Sequence, residues 1–567
     1  MISKFIFQLI ILLLYIRSCV NALWPLPQYW AKGSKTLSIS PDFSIKQTSK
    51  TRSILNAHTK EILKSAEDRL LNLLTSEQYV SPNVKSIFPK TIDESNTLNC
   101  LTISITTNVS ELDLGIDESY ELIIPDSQND DDPLTAHLKA QTVFGVLHGF
   151  NTFSQLLYYN GSKLLLPFAP HDIKDFPRFS HRGLLLDTAR NYFPIKDILK
   201  TLDIMSWNKF NVFHWHITDS PSWPVVSEVY PELSNKGSYD PKYMIYTKDD
   251  IKKVIEYAKF RGIRIIPEFD MPGHTHSIAE SMPEIMTCIN IQPNWSTFAN
   301  EPPSGQLNPA LPETYTFLHK LLPELTSYFV DKYYHSGGDE VNLNCWNSTP
   351  SIIEYLSQNS GSSIETLLSK FINETHGIVR KSKKIPIVWQ EMVVDHKLPL
   401  KNDTIIQVWT TKEITKEVVS KGYRVITGSS DFWYLDCGHG AWLGNDVNGN
   451  SWCDPYKTWQ KIYSYNPIDG LTDEETKLVL GGEVHLWTEQ TDPTNLENLL
   501  WPRASAAAEV LWSGPYDTSK KIRTPDKDAL ARLTDWRFRM VDRGVNAIPL
   551  QPLWCARTGM CDVLNPQ

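Results

Sequence analysis

The chain lacks several signatures that would have narrowed its function at once. No Gly-x-Gly-x-x-Gly turn follows an early strand, which argues against a dinucleotide fold. Its 8 Cys include no C-x-x-C pair, so the spacing writes neither a zinc ribbon nor a dithiol redox site. There is no excess of positive charge. The 55 Lys+Arg against 65 Asp+Glu leave a net charge of −10, which argues against nucleic acid or an anionic membrane surface as partner. Past the N-terminal segment no apolar run is long enough to cross a bilayer. Charged residues at 21% and hydrophobic residues at 41% are ordinary globular values and exclude disorder and a coiled coil.

What is abundant is aromatic: 18 Trp, 23 Tyr and 21 Phe. Trp and Tyr offer large rigid faces to a core or to a ligand such as a sugar ring. Residues 1–22 read as a secretory signal, with Lys4 ahead of an apolar stretch and small residues Val20, Asn21 and Ala22 near the expected cleavage point. Its removal also removes Cys19. In an oxidising compartment the remaining thiols are expected to pair. Close spacing suggests Cys437–Cys453 and Cys555–Cys561, leaves Cys288–Cys345 as the third bridge, and makes Cys100 the odd thiol. Six Asn-x-Ser/Thr sequons, at Asn108, Asn160, Asn294, Asn347, Asn373 and Asn402, agree with secretion. Secretion, cell-wall or periplasmic retention, and delivery to a vacuole or lysosome all fit such a leader.

Residues 23–53, rich in Pro, Ser and Lys, read as irregular. Residues 54–174 read as a small N-terminal α+β domain: near-helical apolar spacing over 54–74, alternating strands at 101–105 and 120–124, a turn at 130–133 and a long helix over 134–158. Over 175–567 the pattern becomes short apolar runs, each followed by a helical stretch, with a helical segment at the C-terminus. The runs are 183–186, 210–216, 263–269, 333–336, 385–389, 405–409, 425–427 and 480–486; helices are expected at 195–207, 248–261, 313–331, 363–382 and 412–421. Eight strands alternating with helices is the arithmetic of an α/β chain closed as a (β/α)8 TIM barrel.

In such a barrel the active site lies where the strands end. Those ends carry Asp187 and Arg190, then His214, His216 and Asp219, then Glu268, Asp270 and His274, then Asp339 and Glu340, then Trp389, Trp409, Tyr434 with Asp436, and Trp487 with Glu489. Asp339 and Glu340 follow two glycines in His335-Ser-Gly-Gly. On extended backbone, neighbours point apart, so these two acids are expected to do different jobs rather than flank one bond. The His214-x-His216 and His274-x-His276 pairs, with Asp219 and Asp270, open a second reading, a divalent metal centre.

Seven segments carry a family resemblance: HRGLLLDTARNYFP (181–194), NVFHWHITDSPSWP (211–224), IIPEFDMPGHTHS (265–277), YHSGGDEVNLNCW (334–346), IVWQE (387–391), FWYLDC (432–437) and GGEVHLWTEQTDPTNLENLLWPRASAAAEVLW (481–512). Together they resemble family 20 glycoside hydrolases, the β-N-acetylhexosaminidases of secreted fungal or lysosomal kind. The resemblance implies a small N-terminal domain on a barrel, an oligosaccharide or glycoconjugate substrate, no metal or other cofactor, and a homodimer. It also implies a reaction in which the substrate's own acetamido group is the nucleophile. Glu340 would be the general acid and base, and Asp339 would orient the acetamide. Tyr434 would donate to the acetamide oxygen, and Trp389, Trp409 and Trp487 would wall the sugar. Arg190 and Glu489 would hold the distal hydroxyls with Asp436 at the outer edge, and Asp219 and His274 would support Glu340. Many members carry a second acid after the position of Asp219; here it is Ser220. A catalytically silent sugar binder keeping the same pocket is the third reading.

Overall fold

The computed structural model describes residues 23–82, 96–127, 133–517, 519–558 and 561. The expected leader, residues 1–22, and residues 130–132 of the expected turn lie outside them. Two compact units emerge: the described residues of 1–110, 117–177 and 512–567 form one, and 111–116 with 178–511 form the other.

The first unit is built on a sheet in the order β1-β2-β4-β3-β6-β5. Its strands are β1 (Tyr29–Gln47), β2 (Thr97–Ile105), β3 (Tyr120–Ile124), β4 (Thr135–Ala140), β5 (Tyr158–Tyr159) and β6 (Leu164–Asp175). Three expectations need correction here. The segment read as irregular contains β1, 19 residues long, which pairs antiparallel with β6 through its first half and parallel with β2 through its second. Its Ser and Lys content hid Leu37 and Ile39, both buried, and Pro41 falls at a register shift between Ile39 and Ser44, where the ladder asks no N–H of it. The long helix expected over 134–158 is instead β4 followed by a helix, Val143–Gln155. Ala136, Leu138 and Ala140 alternate inward along β4, and Thr142 caps the helix by accepting from the Gly145 N–H.

The third correction concerns the C-terminal segment, which belongs with this unit and not with the barrel. Arg539, 1% exposed, explains why. Its guanidinium donates to the carbonyls of Ser154, Gln155 and Leu157 at 3.2, 3.3 and 2.7 Å, at and just past the end of the Val143–Gln155 helix, where carbonyls run out of intrahelical donors, and it also pairs with Glu77.

In the second unit eight parallel strands among the described residues close into a barrel, as the periodicity required. They are β7 (His181–Asp187), β8 (Val212–Thr218), β9 (Arg264–Phe269), β10 (Tyr333–His335), β11 (Ile385–Trp389), β12 (Ile405–Val408), β13 (Arg424–Thr427) and β14 (Val479–Leu486). Successive side chains on a strand face opposite ways, so positions two apart share a face. Val212, Ile266, Tyr333, Ile387, Ile405 and Ile426 form one apolar interior cluster. Two residues further along the same strands stand His214, Glu268, His335, Trp389 and Gln407, so the next interior layer is polar. Gly183 on β7 is shaped by that layer: a Cβ there would strike the Glu483 side chain.

Replacing Arg539 with Met should remove a donor from the Gln155 and Leu157 carbonyls and leave Glu77 with Arg543 as its guanidinium partner. The expected loss is about 1–3 kcal/mol, read as a lowered Tm; an unchanged Tm would contradict this account of the C-terminal segment.

Candidate active site

The strand ends bring nine of the eleven expected site residues onto one cavity of about 430 Å³: Arg190, His274, Asp339, Glu340, Trp409, Tyr434, Asp436, Trp487 and Glu489. Asp219 and Trp389 are the two that do not line it; they lie behind it, 1% and 0% exposed.

The acids sit on unusual backbone. Gly337 and Gly338 have φ of 65° and 100°, and Glu340 itself has φ of 51°. A left-handed conformation in a residue with a Cβ is strained, and such strain gathers at working sites. It also corrects the extended-backbone reading of Asp339 and Glu340. The turn swings both carboxylates to one imidazole: His274 Nε2 lies 3.2 Å from Glu340 Oε2 and 3.7 Å from Asp339 Oδ2. His274, also left-handed at φ 55°, turns its Nδ1 to Asp219 Oδ1 at 3.2 Å. Asp219 receives the Arg190 guanidinium at 2.7 Å on its other oxygen. Ser220 stands where a second acid was considered, and its N–H donates to Asp219 Oδ1 at 2.5 Å.

These neighbours set the charges. Burial would expel the His274 proton, but Asp219 and Asp339 outweigh it and keep the ring well above its ordinary pKa. Burial likewise raises Glu340, yet the His274 cation wins and holds that carboxyl below its usual value. Asp339 goes the other way, pushed up by burial, and so, further, does Asp270, with which it shares a hydrogen bond. Adjacent acids are thus separated, one low and one high.

Aromatic rings form the remaining walls. Trp409 and Tyr434 lie nearly parallel with centroids 6.2 Å apart, and Trp487 stands 6.3 Å from Tyr434 with the Arg190 guanidinium over its own ring at 5.1 Å. Trp389 packs beneath, 6.2 Å from Trp487. Several lining residues carried no signal in the sequence. Trp442 and Trp452 project from a loop closed by the Cys437–Cys453 disulfide, 42% and 66% exposed. Asn300 and Glu301 come from a loop whose base is tied by Cys288–Cys345. Glu301 takes both Arg190 Nε and Nη2, at 2.8 and 2.6 Å. Glu391, within the quoted IVWQE segment, accepts the Trp409 indole N–H at 2.9 Å. Cys555–Cys561 forms the third disulfide, Cys100 is free and buried, and all six sequon asparagines are exposed.

The histidines of the metal reading face acids. His214 lies between Glu483 and Glu268, His216 between Glu268 and Asp219, and His274 between Asp219 and Glu340, at 2.6–3.2 Å. His276 turns away toward Glu280. Each ring nitrogen of His214, His216 and His274 therefore lies within 3.2 Å of a carboxylate oxygen.

The glycosyl hydrolase family 20 catalytic-domain model matches residues 179–515, and a beta-acetyl hexosaminidase like model matches 23–156. The chain belongs to glycosyl hydrolase family 20. Within this family it is 44% identical over 453 residues to beta-hexosaminidase subunit beta of Felis catus, covering 79% of this chain and 77% of that one. It is 38% identical over 520 residues to the chitooligosaccharidolytic beta-N-acetylglucosaminidase of Bombyx mori, at 88% and 83% coverage. A Flavobacterium johnsoniae chitobiase superposes with a TM-score of 0.73 at 25% identity, over 92% of this chain and 73% of that one.

One charge in the cavity titrates near neutrality: burial pushes the Asp436 carboxyl from 3.8 up to about 7. The fold therefore favours its protonated form and loses stability as pH rises from about 4 to about 7. Asp436→Asn should be stabilising at pH 8, on the order of 1–2 kcal/mol for a half-buried group, with the gain vanishing near pH 4. A Tm difference that does not change with pH would contradict it.

Proposed function

We propose that the chain is a retaining exo-β-N-acetylhexosaminidase, removing terminal non-reducing β-linked GlcNAc or GalNAc from oligosaccharides and glycoconjugates by substrate assistance. The observation that carries the reading is the shared grip of His274 on Asp339 and Glu340. Two acids held by one imidazole share a side of the cavity, so one does not face the other across a glycosidic bond as a nucleophile–acid pair does. The nucleophile is then supplied by the substrate.

The acetamido carbonyl oxygen attacks the anomeric carbon. The bond from that carbon to the leaving oxygen breaks, and Glu340 gives its proton to the departing group. Asp339 orients the acetamide N–H and balances the positive charge of the cyclic oxazolinium. Tyr434, held well above its ordinary pKa chiefly by burial, stays a phenol and donates to the acetamide oxygen. Water then adds to the anomeric carbon from the vacated face, Glu340 takes its proton, and the ring opens with net retention. Trp409, Tyr434 and Trp487 restrict the sugar so that the acetamide oxygen sits under the reacting carbon. Arg190, Glu489 and Asp436 receive the distal hydroxyls, and Glu301 shares Arg190 with them.

Three disulfides and six exposed sequons support an oxidising, glycosylating route for the chain, with secretion or delivery to a vacuole or lysosome as its end. No helix among the described residues is long and apolar enough to cross a membrane. A homodimer, supported by family membership, should sediment at twice the mass that the purified mature chain shows when denatured.

The test is turnover of a 4-nitrophenyl β-GlcNAc glycoside beside the matching β-glucoside. Only the first should be cleaved; equal cleavage of both would overturn substrate assistance. Glu340→Gln should lower kcat by about 10²–10⁴ and most for poor leaving groups, whereas wild-type rates in that variant would remove Glu340 from the mechanism. Because Glu340 must hold a proton and His274 pulls its pKa down, kcat/KM should fall as pH rises through the acidic range. A basic limb well above neutrality would contradict that assignment.

A further inference from the structure

The barrel interior holds more ionisable groups than the proposed reaction uses. Interior layers of such barrels are ordinarily branched apolar side chains, and each buried charge costs several kcal/mol unless it is well paired. Here the charges are paired in strict alternation. From the cavity inward, Glu340 meets His274, and His274 meets Asp219. Asp219 Oδ2 lies 2.9 Å from His216 Nε2, and His216 Nδ1 lies 2.6 Å from Glu268 Oε2. The same Glu268 oxygen is 3.1 Å from His214 Nε2; His214 Nδ1 is 2.8 Å from Glu483, and Glu483 is 2.6 Å from His181. From Asp219 inward no member is more than 2% exposed. Glu268 also branches: its Oε1 accepts the Trp389 indole N–H at 2.7 Å and lies 3.1 Å from His335 Nδ1. One carboxylate thus joins the ring beneath the cavity to the chain that ends on Glu340.

We infer that Glu268 and His216 are positioning residues for the proposed glycosidase: through Asp219 they fix the ring plane and the proton of His274, and so set the ionisation of Glu340. The inference rests on the reading of Glu340 as the general acid.

The surroundings give the sign. His216 faces Glu268 and Asp219, the Arg190 guanidinium at 3.3 Å and the edge of Trp487. Burial would strip its proton, but Glu268 and Asp219 keep it cationic. Glu268 faces His214, His216, His335 and the Trp389 N–H, with Asp270 and Asp339 close enough to feel its charge. Glu340 feels His274, Asn300 and Arg190, and its own charge acts on Asp339 and Glu391. Removing the His216 cation therefore makes Glu340 easier to protonate. Removing the Glu268 anion, with His216 still paired to Asp219, makes it harder.

The experiment is the pH profile of kcat and kcat/KM, on the 4-nitrophenyl β-GlcNAc glycoside, for the full chain and for His216→Gln and Glu268→Gln, each checked for folding by circular dichroism. The basic limb of kcat/KM should move up in His216→Gln and down in Glu268→Gln, by about half a unit to one unit each. Turnover should fall about 10–100-fold with KM changed far less. Should one variant fail to fold, the direction of the other decides. An inactive wild type would dispose of the glycosidase reading itself. An active wild type, with folded variants whose limbs stay in place or move against these signs, would overturn this inference alone.

Discussion

The site depends on the His274 imidazole staying protonated between Asp219 and Glu340. Asp219, pinned by the Arg190 guanidinium at 2.7 Å, gives the ring a permanent anion on one side. The ring then presents a cation to Glu340 on the other side, at 3.2 Å. Without that cation, burial would raise both carboxylates, and nothing would separate their tasks. With it, Glu340 can release and recover a proton, while Asp270, held well above Asp339, keeps the proton of that pair and donates it to Asp339, which is left to carry the balancing charge. A proton donor and a charge-balancing partner are thereby made from two neighbours in sequence.

The scaffold accommodates this at visible cost. Residues at φ of 55° and 51° hold the two side chains that matter most. A layer of the barrel that could have been apolar is given to imidazoles and carboxylates, and glycine stands at position 183 because Glu483 leaves no space for a Cβ. Such a layer is costly where a member goes unpaired, and here His335 Nε2 and Gln407 Oε1 are buried without a hydrogen-bond partner among the described residues. The apolar cluster of Val212, Ile266, Ile387 and Ile405, two residues earlier on the same strands, supplies the packing that the polar layer gives up.

Much of this was legible in the sequence, for reasons that differ by region. The barrel strands are short, buried on both sides and bounded by helices, so their apolar runs stood out; β11 was read to the residue and β8 within two. The strand ends followed, because rare residue types gathered there. The N-terminal sheet was harder. Its β1 mixes Ser and Lys with few apolar residues, and β4 runs into a helix so directly that one helical pattern covered both. Asn300, Glu301, Trp442 and Trp452 sit on long loops tied by disulfides. Loop position is decided by chain closure and not by local periodicity, so only the folded chain places them. The metal reading did not separate from the hydrogen-bonding one in sequence because both ask for alternating histidines near acids; in the fold, carboxylate oxygens of Glu268, Asp219 and Glu483 lie within hydrogen-bonding distance of these rings.

The central claim is that this cavity stabilises a cyclised acetamide beside an ionised Glu340 and a charge-balancing Asp339. The most direct test is calorimetric binding of a GlcNAc-derived bicyclic thiazoline, which mimics the cyclic intermediate, against GlcNAc itself. The account predicts binding at least about 10²-fold tighter for the bicycle, as for an analogue of a high-energy species, with the advantage much reduced in Asp339→Asn. Equal affinity for the two compounds would contradict it.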